Sequence, residues 1–190
     1  CIRDRLVSNM FIVIYMVTLL TCGIFDAGMP FLRISYYFTS ATLVALGLHA
    51  IYYFRTALDI RYVIFLALAT LGADTFAYFV GRAIGKHKLN PRLSPKKTIE
   101  GSIGGIVCGC LLGLAYAYCV QIPYALPHLA LMSFVLATTG QIGDLTFSSI
   151  KRTFEVKDYS QIFPGHGGVL DRFDSIIFNS MILGFLLTLL

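Results

Sequence analysis

The chain has 190 residues, 57% hydrophobic and 13% charged, with a mean hydropathy of +0.76 and a formal net charge of +5. A water-soluble domain usually carries about 25% charged residues. Half that leaves too little polar surface to cover a globule, which argues against a soluble domain and for the bilayer as solvent. The bases are confined to short loops and tryptophan is absent, which argues against nucleic acid as a partner.

A spanning helix needs about 20 mostly apolar residues. Six segments meet or approach that length: roughly 9–29, 34–54, 62–81, 103–121, 128–147 and 174–190. The pattern predicts an all-α, polytopic membrane protein with about six transmembrane helices and two polar loops, 82–102 and 148–173. Neither loop is long enough to bury a core. The chain starts at Cys1 rather than Met, as a piece of a longer protein would. Its five cysteines, Cys1, Cys22, Cys108, Cys110 and Cys119, show no C-x2-C spacing. They are expected to be small, buried apolar side chains. Two spans separate the polar loops, so both fall on one side of the membrane. With Arg33 that side carries eleven of the fifteen Lys and Arg residues, and the positive-inside rule places it in the cytoplasm.

Along the chain, Asp74 is a polar group in the wrong solvent, deep in the third span. A carboxylate at the bilayer centre costs about 2.5–3.5 kcal/mol on insertion scales, so it faces a cavity, a cation or a partner. The basic loop "GRAIGKHKLNPRLSPKKTIEGSIGG" follows. Topogenic charge accounts for its bases in general. It does not account for Ser94-Pro95-Lys96-Lys97-Thr98, read as a rigid turn that sets two ammonium groups beside hydroxyls, as a polyphosphate requires. Asp144 lies toward the cytoplasmic end of the fifth span. A structural hydrogen bond, with Thr75 or Gln141 as partner, is the bland alternative for both intramembrane aspartates.

The second polar loop brings Lys151, Arg152, Lys157 and Asp158, then "PGHGG" with Gly165, Gly167 and Gly168. Glycines let backbone N–H groups approach a ligand closely. His166 is equally readable as a general base, a phosphate donor or a turn residue. Asp171 and Asp174, three residues apart, share one helix face, and helix capping alone could explain one of them. Together with Asp144 they make a hard-oxygen cluster, which suits Mg2+.

"SSIKRTFEVKDYSQIFPGHGGVLDRFDS" resembles the signature of phosphatidate cytidylyltransferases, also called CDP-diacylglycerol synthases. The pattern is Ser-x-apolar-Lys-Arg, four residues, Lys-Asp, a small residue, then Pro-x-His-Gly-Gly-apolar-x-Asp-Arg-apolar-Asp. Ser148, Lys151, Arg152, Lys157, Asp158, Pro164, His166, Gly167, Gly168, Asp171, Arg172 and Asp174 all fit it. The block from Asp74 through Gly105 and the "GQIGDL" around Asp144 are similar to the same family. Ile99 and Ser102 depart from it, standing where a Trp and an aromatic residue are expected.

The resemblance implies a division into N-terminal transmembrane helices, 1–60, and a catalytic transmembrane domain, 61–190. It also implies a reaction: CTP plus phosphatidate gives CDP-diacylglycerol and pyrophosphate, with Mg2+ and room for a second cation. Asp144, Asp171, Lys151 and Arg152 are then the catalytic candidates. Asp144, Asp171 and Asp174 are candidate metal ligands. Asp74, Ser94, Lys96, Lys97, His166, Gly167, Gly168 and Arg172 are the candidates for substrate binding. The expected partners are CTP, phosphatidate and membrane lipids, with a homodimer left open, and the expected place is a bacterial inner membrane with the site facing the cytoplasm. Two rivals share some features: a CTP-dependent kinase of a polyprenol-type lipid, and an ion transporter using Asp74 and Asp144.

Overall fold

The structure, a computed structural model, describes residues 2–26, 30–154 and 170–190, and for residues 2–9 and 172 the backbone alone. Among the described residues, an α-helix runs through each of the six apolar segments, the first as far as Phe25. They are α1 (Ile2–Phe25), α2 (Phe31–Tyr53), α3 (Ile60–Ile84), α4 (Ile99–Cys119), α5 (Leu126–Thr153) and α6 (Leu170–Leu189). A π-helical turn, Phe54–Leu58, continues α2.

Three runs are long and apolar enough to cross a membrane: Phe31–Leu58, Ile60–Ile84 and Ile99–Cys119. Met10–Phe25 and Phe173–Leu189 are shorter apolar helices. The protein is therefore a helical membrane protein, with three such helices among the described residues. α5 falls short in composition, not in length. Its 28 residues include Gln141, Asp144, Lys151 and Arg152, which dilute the apolar run.

Helix extends further into the polar segments than the hydropathy suggests. α3 continues to Ile84, α4 starts at Ile99 and α5 continues to Thr153. Asp144 and Lys151, seven residues apart, thereby fall on one face of α5. Between α3 and α4 the basic segment forms an antiparallel hairpin of β1 (Lys88–Asn90) and β2 (Ser94–Thr98). The expected rigid turn at Ser94–Thr98 is thus a strand. Pro95 is tolerated because β2 has a single neighbour, and a missing N–H does no harm on an unpaired edge. The turn lies at the tip, where the Leu93 N–H donates to Asn90 Oδ1 (3.3 Å).

The chain divides into two compact units, Cys1–Leu46 and Gly47–Leu190. In the first, Tyr15 stacks on Phe38 with ring centroids 6.2 Å apart and donates its hydroxyl to the Tyr37 carbonyl (3.3 Å). The second contains the core, in which Phe54, Phe65, Leu66, Met132, Leu136 and Leu183 are buried.

Small residues join α3 to α4. Gly101, Gly105, Gly109 and Gly113 recur every fourth position and are buried. They lie against Ala69, Ala73, Ala77 and Gly81 of α3. A Cβ on Gly105 would stand 2.4 Å from the Ala73 carbonyl oxygen, and one on Gly109 2.7 Å from that of Ala69. Lipid offers no hydrophobic drive between helices, so close backbone packing holds this pair.

Polar contacts join α3, α5 and α6 instead. The fully buried Asn179 donates from Nδ2 to Thr70 Oγ1 (2.8 Å) and to the Leu136 carbonyl (2.6 Å). Its Oδ1 accepts from the Thr139 hydroxyl (2.6 Å).

At the start of α3, Asp59 caps the helix by accepting the Arg61 N–H (2.9 Å). That hydrogen bond, with the Arg61 guanidinium 3.2 Å away, holds its carboxyl below the usual carboxylate range. The cysteines depart from expectation. Among the described cysteines, Cys22 and Cys119 are exposed and Cys108 and Cys110 only partly buried.

Candidate functional site

Polar residues of the second unit surround a cavity of about 690 Å3. Five elements supply its walls, α4 among them through Ser102. α3 contributes Asp74, Tyr78, Gly81 and Arg82, the hairpin Lys88, Lys96 and Lys97, α5 Gln141 and Asp144, and α6 Asp171, Asp174 and Ser175. The volume is within the usual range of about 300–1,000 Å3 for small-ligand pockets.

The periodicity of each helix explains the convergence. Asp74, Tyr78 and Arg82 are four residues apart and form one stripe of α3. Gln141 and Asp144 are neighbours at i, i+3 on α5, as Asp171 and Asp174 are on α6. The hairpin then sets the two adjacent lysines at the same opening.

Charge is unevenly distributed around the cavity. Arg82, Lys88, Lys96 and Lys97 come from the end of α3 and from the hairpin, while Asp144, Asp171 and Asp174 come from α5 and α6. Asp74 sits among them, close enough to Lys97 and Asp144 to feel both charges.

Ion pairs join the elements around the cavity. Lys97 pairs with Asp144, both side chains about a quarter exposed. The Lys151 ammonium lies 2.8 Å from Asp171 Oδ1, both side chains nearly buried. Asp174 is buried and accepts from the Ser175 N–H (2.7 Å) and hydroxyl (3.3 Å). Gln141 donates to the Ser102 carbonyl (3.0 Å), and the Ser102 hydroxyl donates back to its Oε1.

Of the residues singled out in the sequence, Asp74, Lys96, Lys97, Asp144, Asp171 and Asp174 line this cavity. Ser94 does not; it begins β2, opposite Asn90. Lys151 reaches the cavity through its contact with Asp171, and Arg152 follows it as an exposed residue of the last helical turn. His166, Gly167, Gly168, Lys157 and Asp158 lie outside the described residues, and so does the Arg172 side chain. Arg82, Tyr78, Lys88, Ser102 and Gln141 line the cavity without having been assigned to it. The signal for Gln141 and Arg82 was available, because each is at helical spacing from an assigned aspartate. Ser102 was readable only as a departure from a family pattern.

Among the described residues no group of three or more His, Cys, Asp or Glu side chains is arranged to hold a metal ion. The chemistry of the donors nevertheless fits Mg2+. It takes oxygen ligands and is commonly held by one or two carboxylates plus phosphate oxygens, not by an all-protein cage. Two of the carboxylates here already hold a cationic lysine, so the cavity stabilises positive charge at those positions.

A model of the cytidylyltransferase family matches residues 2–190. The chain is 44% identical over 151 residues to the phosphatidate cytidylyltransferase of Staphylococcus epidermidis, covering 79% of this chain and 58% of the relative. It is 44% identical over 130 residues to that of Bacillus subtilis, covering 68% of this chain and 48% of the relative. The Staphylococcus haemolyticus enzyme is 41% identical over 151 residues, with 79% and 58% covered. The chain thus spans about half the length of the curated relatives it matches. The family match over nearly every residue, together with this level of identity, shows that the chain belongs to the cytidylyltransferase family.

Proposed function

We propose that the protein transfers CMP from CTP to phosphatidate, giving CDP-diacylglycerol and pyrophosphate. The observation that carries this reading is the cavity with a basic wall on the hairpin side and an acidic wall on α5 and α6. A nucleoside triphosphate needs the first, and a divalent cation needs the second. The relatives' shared name points to the same substrates. The residues involved all lie in 61–190, which we take as the catalytic part.

In this reaction a phosphate oxygen of phosphatidate forms a bond to the α-phosphorus of CTP. The bond from that phosphorus to the bridging oxygen breaks, and its electron pair leaves with pyrophosphate. A phosphate monoester, with a second pKa of about 6, is already mostly ionised at neutral pH. The nucleophile therefore needs no strong base.

The obstacle is repulsion between two anions. Positioning and charge stabilisation overcome it, as in other phosphoryl transfers. Lys96 and Lys97, with Arg82 and Lys88, hold the triphosphate. Lys151 holds Asp171 in place, and Arg152 and Arg172 serve the pyrophosphate. Asp74 orients Lys97 or the nucleotide. His166, Gly167 and Gly168 shape the nucleotide pocket, and Ser94 supports the lysine strand from its start. Mg2+, held by Asp144 and Asp171 with Asp174 as ligand or support, would supply charge neutralisation at the phosphates.

We further place six spans in a bacterial inner membrane, with both polar segments cytoplasmic. The tally of bases on one side supports this orientation.

The test is an assay of the purified protein with phosphatidate and CTP labelled at the α- or the γ-phosphorus, with and without Mg2+. Label in the lipid from α only is expected, and only with Mg2+. Label from γ would make the protein a lipid kinase, and no transfer from either would end the reading.

A further inference from the structure

We propose that Glu100 is a positioning residue, a clamp that fixes the hairpin so that Lys96 and Lys97 reach the cavity. The inference rests on the reading of that cavity as a nucleotide site. Glu100 lies in the first turn of α4 and does not line the cavity.

An acidic residue in a first helical turn is ordinarily explained by the helix dipole. That explanation leaves the direction of the side chain open, yet here both carboxylate oxygens turn back to the segment that enters the hairpin. The Lys86 N–H donates to Oε2 (3.0 Å). The His87 N–H is shared between Oε2 (3.2 Å) and Oε1 (3.3 Å). His87 Nδ1 stands 2.6 Å from Oε1. One side chain thus gathers two consecutive amides and a ring from 13 and 14 residues earlier.

The consequence passes along the strands. β1 begins at Lys88, directly after the clamped pair, and Lys88 is paired with Thr98. The Ile99 N–H closes the hairpin base by donating to the His87 carbonyl (2.9 Å). Thr98 ends β2 and caps α4, its hydroxyl accepting from the Gly101 N–H (3.2 Å). Lys97 and Lys96 immediately precede Thr98. A two-stranded hairpin is marginal by itself, so its position depends on what ties its ends. Thr98 ties one end covalently to α4. Glu100 ties the other end to the same helix, and charge-assisted bonds of this kind are about twice as strong as neutral ones.

Full-length protein in lipid nanodiscs, as wild type, Glu100→Gln and Glu100→Ala, provides the test. Amide hydrogen exchange across residues 86–98 is followed without ligand, and KM for CTP and kcat are measured separately. Glu100→Ala should speed exchange at Lys86 and His87 and raise KM for CTP roughly 10-fold, with kcat within about 2-fold of wild type. Glu100→Gln keeps one acceptor oxygen and should fall between, within about 3-fold of wild type in KM. Should the alanine variant fail to fold, the glutamine variant carries the same test. Unchanged exchange overturns the clamp. Faster exchange with unchanged KM, or a fall in kcat alone, overturns its positioning role. Wild-type protein that neither binds nor uses CTP would instead refute the nucleotide reading, and the exchange data would then decide the clamp alone.

Discussion

α3 has two faces held by opposite means. Toward α4 it presents Ala69, Ala73, Ala77 and Gly81 to a stripe of glycines, and the backbones come so close that no Cβ fits at Gly105. On its other side it presents Thr70 to Asn179 and Asp74 to the cavity, and hydrogen bonds and charge join the packing there. The first face fixes where the helix stands, since contact between backbones leaves no slack. The second can then hold charged groups in position without also having to carry the fold. In a bilayer this division matters, because a charge left without a partner costs more than any single packing contact returns.

The largest effect should come from the charged side. Asp144→Asn keeps the shape of the side chain and removes its charge from the pairing with Lys97. Loss of a preorganised electrostatic group costs roughly 100- to 1,000-fold in rate. That loss in CMP transfer is expected while the melting midpoint in detergent stays within a few degrees of wild type. Turnover near the wild-type rate would remove Asp144 from the reaction and leave it a structural ion-pair partner.

Next comes the packed face, where the effect should appear in stability and depend on position. At Gly105 a methyl would meet the Ala73 carbonyl at 2.4 Å, a backbone atom that cannot step aside. At Gly113 the nearest atoms are the Ala69 Cβ at 3.0 Å and Ser133 Oγ at 3.2 Å. Overpacking costs about 1–3 kcal/mol, while replacing Gly by Ala in a helix returns up to about 1 kcal/mol. Gly105→Ala should therefore destabilise and Gly113→Ala should be close to neutral. Thermal unfolding followed by size exclusion would order the two, and equal losses at both would refute the close approach.

How much of this was readable beforehand differs between the same two faces. The aspartates were legible because charge in an apolar run is costly, and Asp74, Asp144, Asp171 and Asp174 all line one cavity. The four-residue glycine repeat of α4 was equally present in the sequence. It yields its meaning only once Ala69, Ala73 and Ala77 are known to lie opposite. The hairpin was not legible, since a basic segment with two prolines satisfies the rules for a turn as well as those for an edge strand. The link from Lys151 to Asp171 spans 20 residues and two helices, a pairing that no local pattern encodes.

A smaller loss is expected at the buried polar junction. Asn179→Leu would remove the two hydrogen bonds from Nδ2 and the one accepted from Thr139. Interhelical hydrogen bonds in membrane proteins average about 0.6 kcal/mol and reach about 1.7 kcal/mol, because their partners find substitutes. The unfolding midpoint should fall moderately, and the rate with CTP should fall only as far as the cavity wall on α6 shifts. Asn179→Asp, which keeps the acceptor and loses the donors, should be worse than Asn179→Leu, since it adds a buried charge. The reverse order would mean that water or a cation reaches this junction.

Asp59 provides the control that belongs to neither face. It caps the far end of α3 from a half-buried position, and the Arg61 amide and guanidinium hold its carboxyl below the ordinary value of about 3.8. A carboxyl with a folded pKa lowered in this way stabilises the fold above its unfolded pKa, and the stabilisation is lost as pH falls through the folded value. Between neutral pH and about pH 5 the contribution should therefore be constant, fading only below about pH 4. Asp59→Ala should lower the unfolding midpoint slightly at neutral pH, by the same amount in wild type and in the Gly105→Ala and Asn179→Leu backgrounds, because separate sites add. The wild type and Asp59→Ala should converge only as the pH falls through the lowered folded value. A larger loss in one background than in the other would show that the two faces of α3 are coupled through the helix itself, and the division between packing and polar contact would have to be abandoned.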